Sequence, residues 1–260
     1  MADGYYKKEH VIKGYECDFQ GNMKFPTLMN YLIELSGDHW EATVGGTETD
    51  PLAKGELTWI LIYYQAELAK IPKKDEKIYL ATEYRSYNRL FAYRNFDVLD
   101  EDNNIIIQIE SVFALMDLDS RRMVKLKDDY FENLQLKEPK SSRIKRYPDI
   151  AALSEEAELL ERDYYVRYYD IDSNQHVNNT LYLDWGIDVL GGEFLSQHHL
   201  TFAAIKFDKE VHYEDYIHSK ATLIENPDRK GTYISSHRIE TEGKLNAEIE
   251  FHWISSQQEI

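Results

Sequence analysis

Residues 170–179 read DIDSNQHVNN. Asp172, Asn174 and His176 stand at alternate positions, so a carboxylate, an amide and an imidazole follow one another. Alternate residues of an extended segment point to one side, whereas a helix would turn Asn174 away from the other two. Asn178 or Asn179 is a suitable N-cap for the helix that follows, and free amides at a helix start favour developing negative charge. The segment thus offers three polar side chains beside a place for an oxyanion. The same residues also suit an Asx-rich turn in which the histidine merely bonds the backbone. A metal centre is not expected: no second histidine or carboxylate follows at HExxH-like spacing, and asparagine is a poor ligand.

The elements that must position this segment occur twice. Residues 9–17 read as a strand, and PTLMNYLIELSGDHWEATVGG as a helix, opened by Pro26 and closed by Gly45 and Gly46. Strand-like runs follow at 57–68, 76–84, 89–99 and 105–117, parted by polar turns. Residues 127–160 are charged and carry Pro139 and Pro148; they read as a linker with a short helix at 150–161. Then YYVRYYDID reads as a strand, NNTLYLDWGIDVLGG as a helix, and four more strands follow. Matching the helices pairs Thr27-Leu28 with Thr180-Leu181, and Leu57-Thr58-Trp59 with Leu200-Thr201-Phe202. That alignment sets Phe19, Gly21 and Met23 against Asp172, Asn174 and His176, so the first copy lacks the polar trio. If the turn alone required the trio, the first copy should need one too, which favours the functional reading.

One helix followed by an antiparallel sheet buries itself when the sheet curls round it, and two such units can pair their sheet edges. The expected fold is α+β: a helix-in-sheet unit at 1–130, a linker at 131–160 and a second unit at 161–260. The 260 residues include 47 Asp and Glu against 30 Lys and Arg, a net charge of −17 with histidine neutral. So acidic a chain is poorly suited to nucleic acid or to an anionic membrane. Its apolar runs are strand-length, the start MADGYYKKEH lacks the apolar stretch of a signal peptide, and Cys17 is the lone cysteine. These features point to a soluble protein of a reducing compartment, the cytoplasm.

VRYYDIDSNQHVNNTLYLDW resembles the signature of plant and bacterial acyl-acyl carrier protein (acyl-ACP) thioesterases. LTWILIYYQAELAKIP, SVFALMDLDSRRMVKL and IKFDKEVHYED resemble further segments of that family in the same order. HVNN alone is shared with single-unit acyl-CoA thioesterases; Asn174-Gln175 before His176, and two units in one chain, point to the carrier-protein branch. The resemblance implies a tandem (double) hotdog fold and hydrolysis of acyl-ACP to a free fatty acid, with no metal or organic cofactor. Asp172, Asn174 and His176 match the family's catalytic motif, and Glu210 its downstream glutamate. Many plant members carry a cysteine at the next position; here it is Val211, so a Cys–His mechanism is not open at that place.

The resemblance implies that Glu210 is general base or nucleophile, that His176 and Asp172 orient and polarise, and that Asn174 holds carbonyl or water. Amides near 177–179 would complete an oxyanion site. The first unit would supply the acyl pocket. The partner is an acidic carrier protein, which needs a basic patch. Candidates are Arg121-Arg122 with Lys125 and Lys127, or Arg143, Lys145 and Arg146. His212 reads as structural or surface, and exposed sheet edges are compatible with a homodimer. The rival readings are an acyl-CoA thioesterase of the same fold and a non-catalytic acyl-binding sensor.

Overall fold

The computed structural model describes residues 5–143, 147–172 and 176–256. Asn174, Lys145 and Arg146 lie outside them. The first half holds β1 (Tyr6–Val11), α1 (Phe25–Thr43), β2 (Leu57–Leu68), β3 (Lys77–Tyr87), β4 (Phe91–Leu99), β5 (Ile105–Asp117) and a two-residue β6 (Arg122–Met123). The second holds β7 (Leu159–Tyr165), α2 (Leu181–Asp188), α3 (Gly192–Gln197), β8 (His198–Phe207), β9 (Tyr216–Glu225), β10 (Thr232–Thr241) and β11 (Lys244–Ser255).

All strands join one large antiparallel sheet in the order β1-β3-β4-β5-β2-β8-β11-β10-β9-β7, with β6 hung on β5. The order runs outward in the same way from each side of the central β2–β8 pair. That pair is held from Tyr63↔Lys206 to Glu67↔Phe202. Joining the halves there places β1 and β7 at the two ends of the strand order.

Local chemistry explains the helices. In α1, Leu28, Leu32 and Leu35 recur at helical spacing and are buried. Pro26 occupies the first turn, and Gly46 beyond the end takes φ +70. Leu32 is wholly buried, so truncation to alanine would cost about 3 kcal/mol. α2 approaches the sheet closely at Gly186, where a Cβ would lie 3.1 Å from Ile249 Cδ1 and 3.3 Å from Phe251. The β4–β5 hairpin turns on Asn103 at φ +65, and the β2–β3 connection on Asp75 at φ +69, conformations that short polar side chains tolerate.

Three expectations need correction. The strand expected at 9–17 runs over Tyr6–Val11, and a 3-10 turn at Gly14–Glu16 follows it. No helix forms in the described part of 150–161; the segment is irregular until Leu159 starts β7. Its backbone is tied to the sheet instead, the Ala151 N–H donating to the Glu250 carboxylate and the Ser154 N–H to Thr222 Oγ1. The expected strand 164–172 stops at Tyr165, and a 3-10 turn at Tyr168–Asp170 takes its place. The Asp170 carboxylate accepts the Arg167 N–H at 2.8 Å and so ties that turn shut.

Candidate active site

The segment around Asp172 is folded back on itself. Ile171 and Val177 form an antiparallel bridge, and the Asp172 N–H donates to the His176 carbonyl at 2.8 Å. The His176 N–H in turn reaches Asp172 Oδ1 at 3.4 Å. Asp172 and His176 therefore meet as opposed residues of a tight reversal, and not as alternate residues of one extended strand.

The first half carries the same device one residue out of the expected register. Cys17 and Met23 form the bridge, the Asp18 N–H donates to the Asn22 carbonyl at 2.9 Å, and the Asn22 N–H reaches Asp18 Oδ1 at 3.0 Å. Upstream, Glu16 accepts the Lys13 N–H at 2.9 Å, as Asp170 does for Arg167. Downstream, Met23 N–H donates to the Pro72 carbonyl and Val177 N–H to that of Val211, at 2.9 and 3.2 Å. Asp18 thus stands where Asp172 stands, Asn22 where His176 stands, and Ile71 where Glu210 stands. The sequence pairing with Phe19, Gly21 and Met23 is corrected accordingly, because few identities anchored it. A turn aspartate occurs in both copies, so Asp172 serves the turn whatever else it does. The imidazole and the downstream carboxylate occur only in the second copy.

His176 and Glu210 face each other. His176 Nδ1 lies 3.4 Å from Glu210 Oε2 without hydrogen-bond alignment, and both side chains are partly buried. Arg121 enters from the first half, on the turn between β5 and β6, with φ +55. Its guanidinium pairs with Glu210 Oε2, and its Nη2 lies 3.4 Å from His176 Nε2. Arginine has no acceptor, so Nε2 accepts and the ring proton sits on Nδ1, towards Glu210. Arg121, expected in a basic patch, also reaches the site while remaining exposed, as Arg122, Lys125 and Lys127 are. Burial, then the charge of Arg121 and the nearby His212, hold the His176 pKa below its ordinary 6.5, with Asp172 pulling the other way. At neutral pH the ring is uncharged.

These groups line a cleft of about 810 Å³ with Asp172, Lys209 and His212. Its opposite wall is the start of β2, from Leu57 to Ile62, so each half supplies one side. Thr58 and Trp59 also line an adjoining chamber of about 260 Å³, walled by Ile33 and Trp40 of α1 and by Phe113. His212, expected as a bystander, has its ring 5.5 Å from that of His176. Its only sequence signal was a place two residues after Glu210. Among the described residues no group of three or more His, Cys, Asp or Glu could hold a metal ion.

The expected oxyanion amides are mostly spent. Val177 N–H donates to Val211, Asn178 N–H to the Asp170 carbonyl, and Thr180 N–H to the Asn178 side chain. Thr180, not Asn178 or Asn179, is the N-cap residue of α2, and its side chain makes no cap bond. Asn179, which lines the cleft, has no partner for its N–H among the described residues.

The fold is that of solved thioesterase structures. A candidate oleoyl thioesterase from Lactobacillus plantarum superposes with a TM-score of 0.89 at 29% identity, covering 98% of each chain. An acyl-ACP thioesterase from Bacteroides thetaiotaomicron VPI-5482 gives 0.78 at 23% identity, covering 96% of this chain and 98% of that one, a likeness of fold. At the level of sequence, residues 3–134 match the acyl-ACP thioesterase N-terminal domain and residues 153–255 the C-terminal domain, so the chain belongs to the acyl-ACP thioesterase family. Among curated relatives, the chloroplastic oleoyl-acyl carrier protein thioesterase of Coriandrum sativum is 25% identical over 226 residues. The match takes in 82% of this chain and 61% of that longer relative. No helix among the described residues is long and apolar enough to cross a membrane.

Proposed function

We propose that the chain hydrolyses acyl-ACP to a free fatty acid and holo-ACP in fatty acid biosynthesis, on a tandem hotdog fold of two units and a linker. The observation that carries this reading is the convergence of His176, Glu210 and Arg121 in one cleft, beside an apolar chamber, at the copy of the turn that pairs an imidazole with a downstream carboxylate. The acyl chain enters the chamber past Thr58 and Trp59, and the thioester carbonyl rests over Glu210.

A thioester carbonyl is already electrophilic, so an activated water and a stabilised oxyanion suffice. Glu210 takes a proton from water as the water oxygen bonds to the acyl carbon; alternatively its carboxylate attacks directly and water resolves the anhydride. The neutral His176, with its proton on Nδ1, orients Glu210. Arg121 favours the ionised carboxylate. The Asn179 N–H stabilises the oxyanion, Asp172 sets the turn that presents His176, and Asn174, in the role the family resemblance implies, holds the carbonyl or water. Collapse breaks the C–S bond, and the pantetheine thiolate leaves to be protonated.

Arg122, Lys125 and Lys127, exposed just beyond Arg121, offer the positive strip an acidic carrier protein needs. The working compartment proposed is the cytoplasm. The test is free-acid release from matched acyl-ACP and acyl-CoA substrates over medium to long chains, without added metal. Faster turnover of acyl-ACP supports the proposal. Preference for CoA would move the protein to the acyl-CoA thioesterases, and no turnover of either by folded protein would remove the hydrolytic reading.

A further inference from the structure

The duplication extends to the cleft itself. In the second half the reversal at Asp172–His176 faces the start of β2 from the other half; in the first half the reversal at Asp18–Asn22 faces the start of β8. β2 carries an irregularity between Leu61 and Tyr63 against β5, and β8 skips Thr201 against β11 in the same way. Trp59, Ile60 and Leu61 of the cleft therefore correspond to His198, His199 and Leu200. Between these corresponding walls lies a cavity of about 910 Å³, larger than the cleft of about 810 Å³. Both fall in the range of small-molecule sites, roughly 300–1,000 Å³.

We infer that this second cavity is a binding site for the acyl chain of a thioester, which it holds without hydrolysing it. The choice of occupant rests on the function proposed above, since the cavity copies the scaffold of the proposed substrate cleft. Leu28, Leu68, Ile107, Trp185, Leu195 and Trp253 give it an apolar interior suited to an unbranched chain. The reacting pair has no counterpart here: Asn22 replaces His176 and Ile71 replaces Glu210, and His198 and His199 on the far wall form no ion pair with a carboxylate among the described residues.

The polar lining selects the head group. Asp18, Asp163, Asp170, Asp184 and Asp188 face the cavity against the cations Lys24 and Arg167. Arg167 binds Asp170 at 2.7 Å, Arg162 binds Asp188 at 2.6 Å and His218 pairs with Asp163, which leaves Asp18 and Asp184 against Lys24, whose Nζ donates to the Tyr15 carbonyl at 3.0 Å. A free carboxylate would meet an excess of negative charge, whereas an uncharged thioester would not.

The experiment is calorimetric titration of the full chain with S-alkyl pantetheine thioethers of medium and long chain, which cannot be hydrolysed, and with the matching fatty acids. Two equivalents of thioether should bind the unmodified protein. Leu195→Trp, filling the second cavity, should leave one equivalent and unchanged hydrolysis. Thr58→Trp, filling the cleft, should leave one equivalent and abolish hydrolysis. His199→Trp serves as a second block of the cavity should Leu195→Trp fail to fold by circular dichroism. A single equivalent, lost with Thr58→Trp and untouched by Leu195→Trp, overturns the inference while the proposed function stands. No binding at all overturns both. Fatty acid filling the second cavity as tightly as thioether overturns the head-group argument.

Discussion

Arg121→Met isolates the electrostatic design of the cleft. The guanidinium nitrogen is 3.4 Å from His176 Nε2. At that separation, with water-like screening because Arg121 is more than a third exposed, one charge acts on another with about 1 kcal/mol. The sign follows from the placement. Arg121 disfavours imidazolium, so its removal raises the His176 pKa. It also leaves the Glu210 carboxylate unopposed 3.4 Å from Nδ1, which favours imidazolium further. Activity requires the neutral ring and is lost as pH falls through the His176 pKa. The acid limb of the pH–rate profile for acyl-ACP hydrolysis should therefore move upward in the variant, with kcat lower by roughly 100-fold. Arg121→Lys should restore most of the limb position but less of the rate, because lysine keeps the charge and loses the planar fork. An Arg121→Met enzyme that is slower yet shows an unmoved acid limb would refute the electrostatic account and leave Arg121 a structural residue.

Other expectations can be checked separately. Glu210→Gln should lower kcat by roughly 10²–10⁴ with little change in melting temperature, since Glu210 is partly exposed; near-normal turnover of the folded variant would exclude it as base or nucleophile. Asp18→Asn should leave hydrolysis unaltered in steady-state assays, as its turn faces the other cavity, whereas Asp172→Asn should slow it. Gly186→Ala should cost about 1–3 kcal/mol in urea unfolding, because its methyl group meets Ile249 and Phe251. His39 and His237 are held neutral by burial, at about 4 and about 3, with Arg94 also acting on His39. Their folded pKa values lie below the unfolded 6.5, so their stabilisation is complete above pH 6.5 and is lost as pH falls towards those values. Between pH 7 and pH 5 each should remove about 2 kcal/mol, and His237→Phe should flatten the slope of urea-unfolding free energy against pH.

Much was legible in the sequence because it is written locally. The strands at 57–68 and 105–117 coincide with β2 and β5, since β-branched and aromatic runs bounded by polar turns fit only a buried sheet. Pro26 and the glycines after Val44 mark the first helix for equally local reasons. The polar trio stood out by residue type alone, and Asn174 remains outside the described residues. The helix expected at 150–161 failed because charge and proline content report what a segment avoids, not what it forms.

What only the tertiary structure decided is how distant groups meet. Alternation brought Asp172 and His176 to one side on paper, but a chain reversal does so in fact, through backbone bonds that no spacing rule encodes. The repeat register needed the matched bridges, because a one-residue slip is invisible where side chains differ and decisive for which residue is the counterpart. Arg121 stands 55 residues before His176 and 89 before Glu210, on a turn of the other half. Its place in the cleft depends on β2 pairing with β8. That pairing is long-range, and a sequence specifies it only through the sum of all the packing that makes the two halves meet edge to edge.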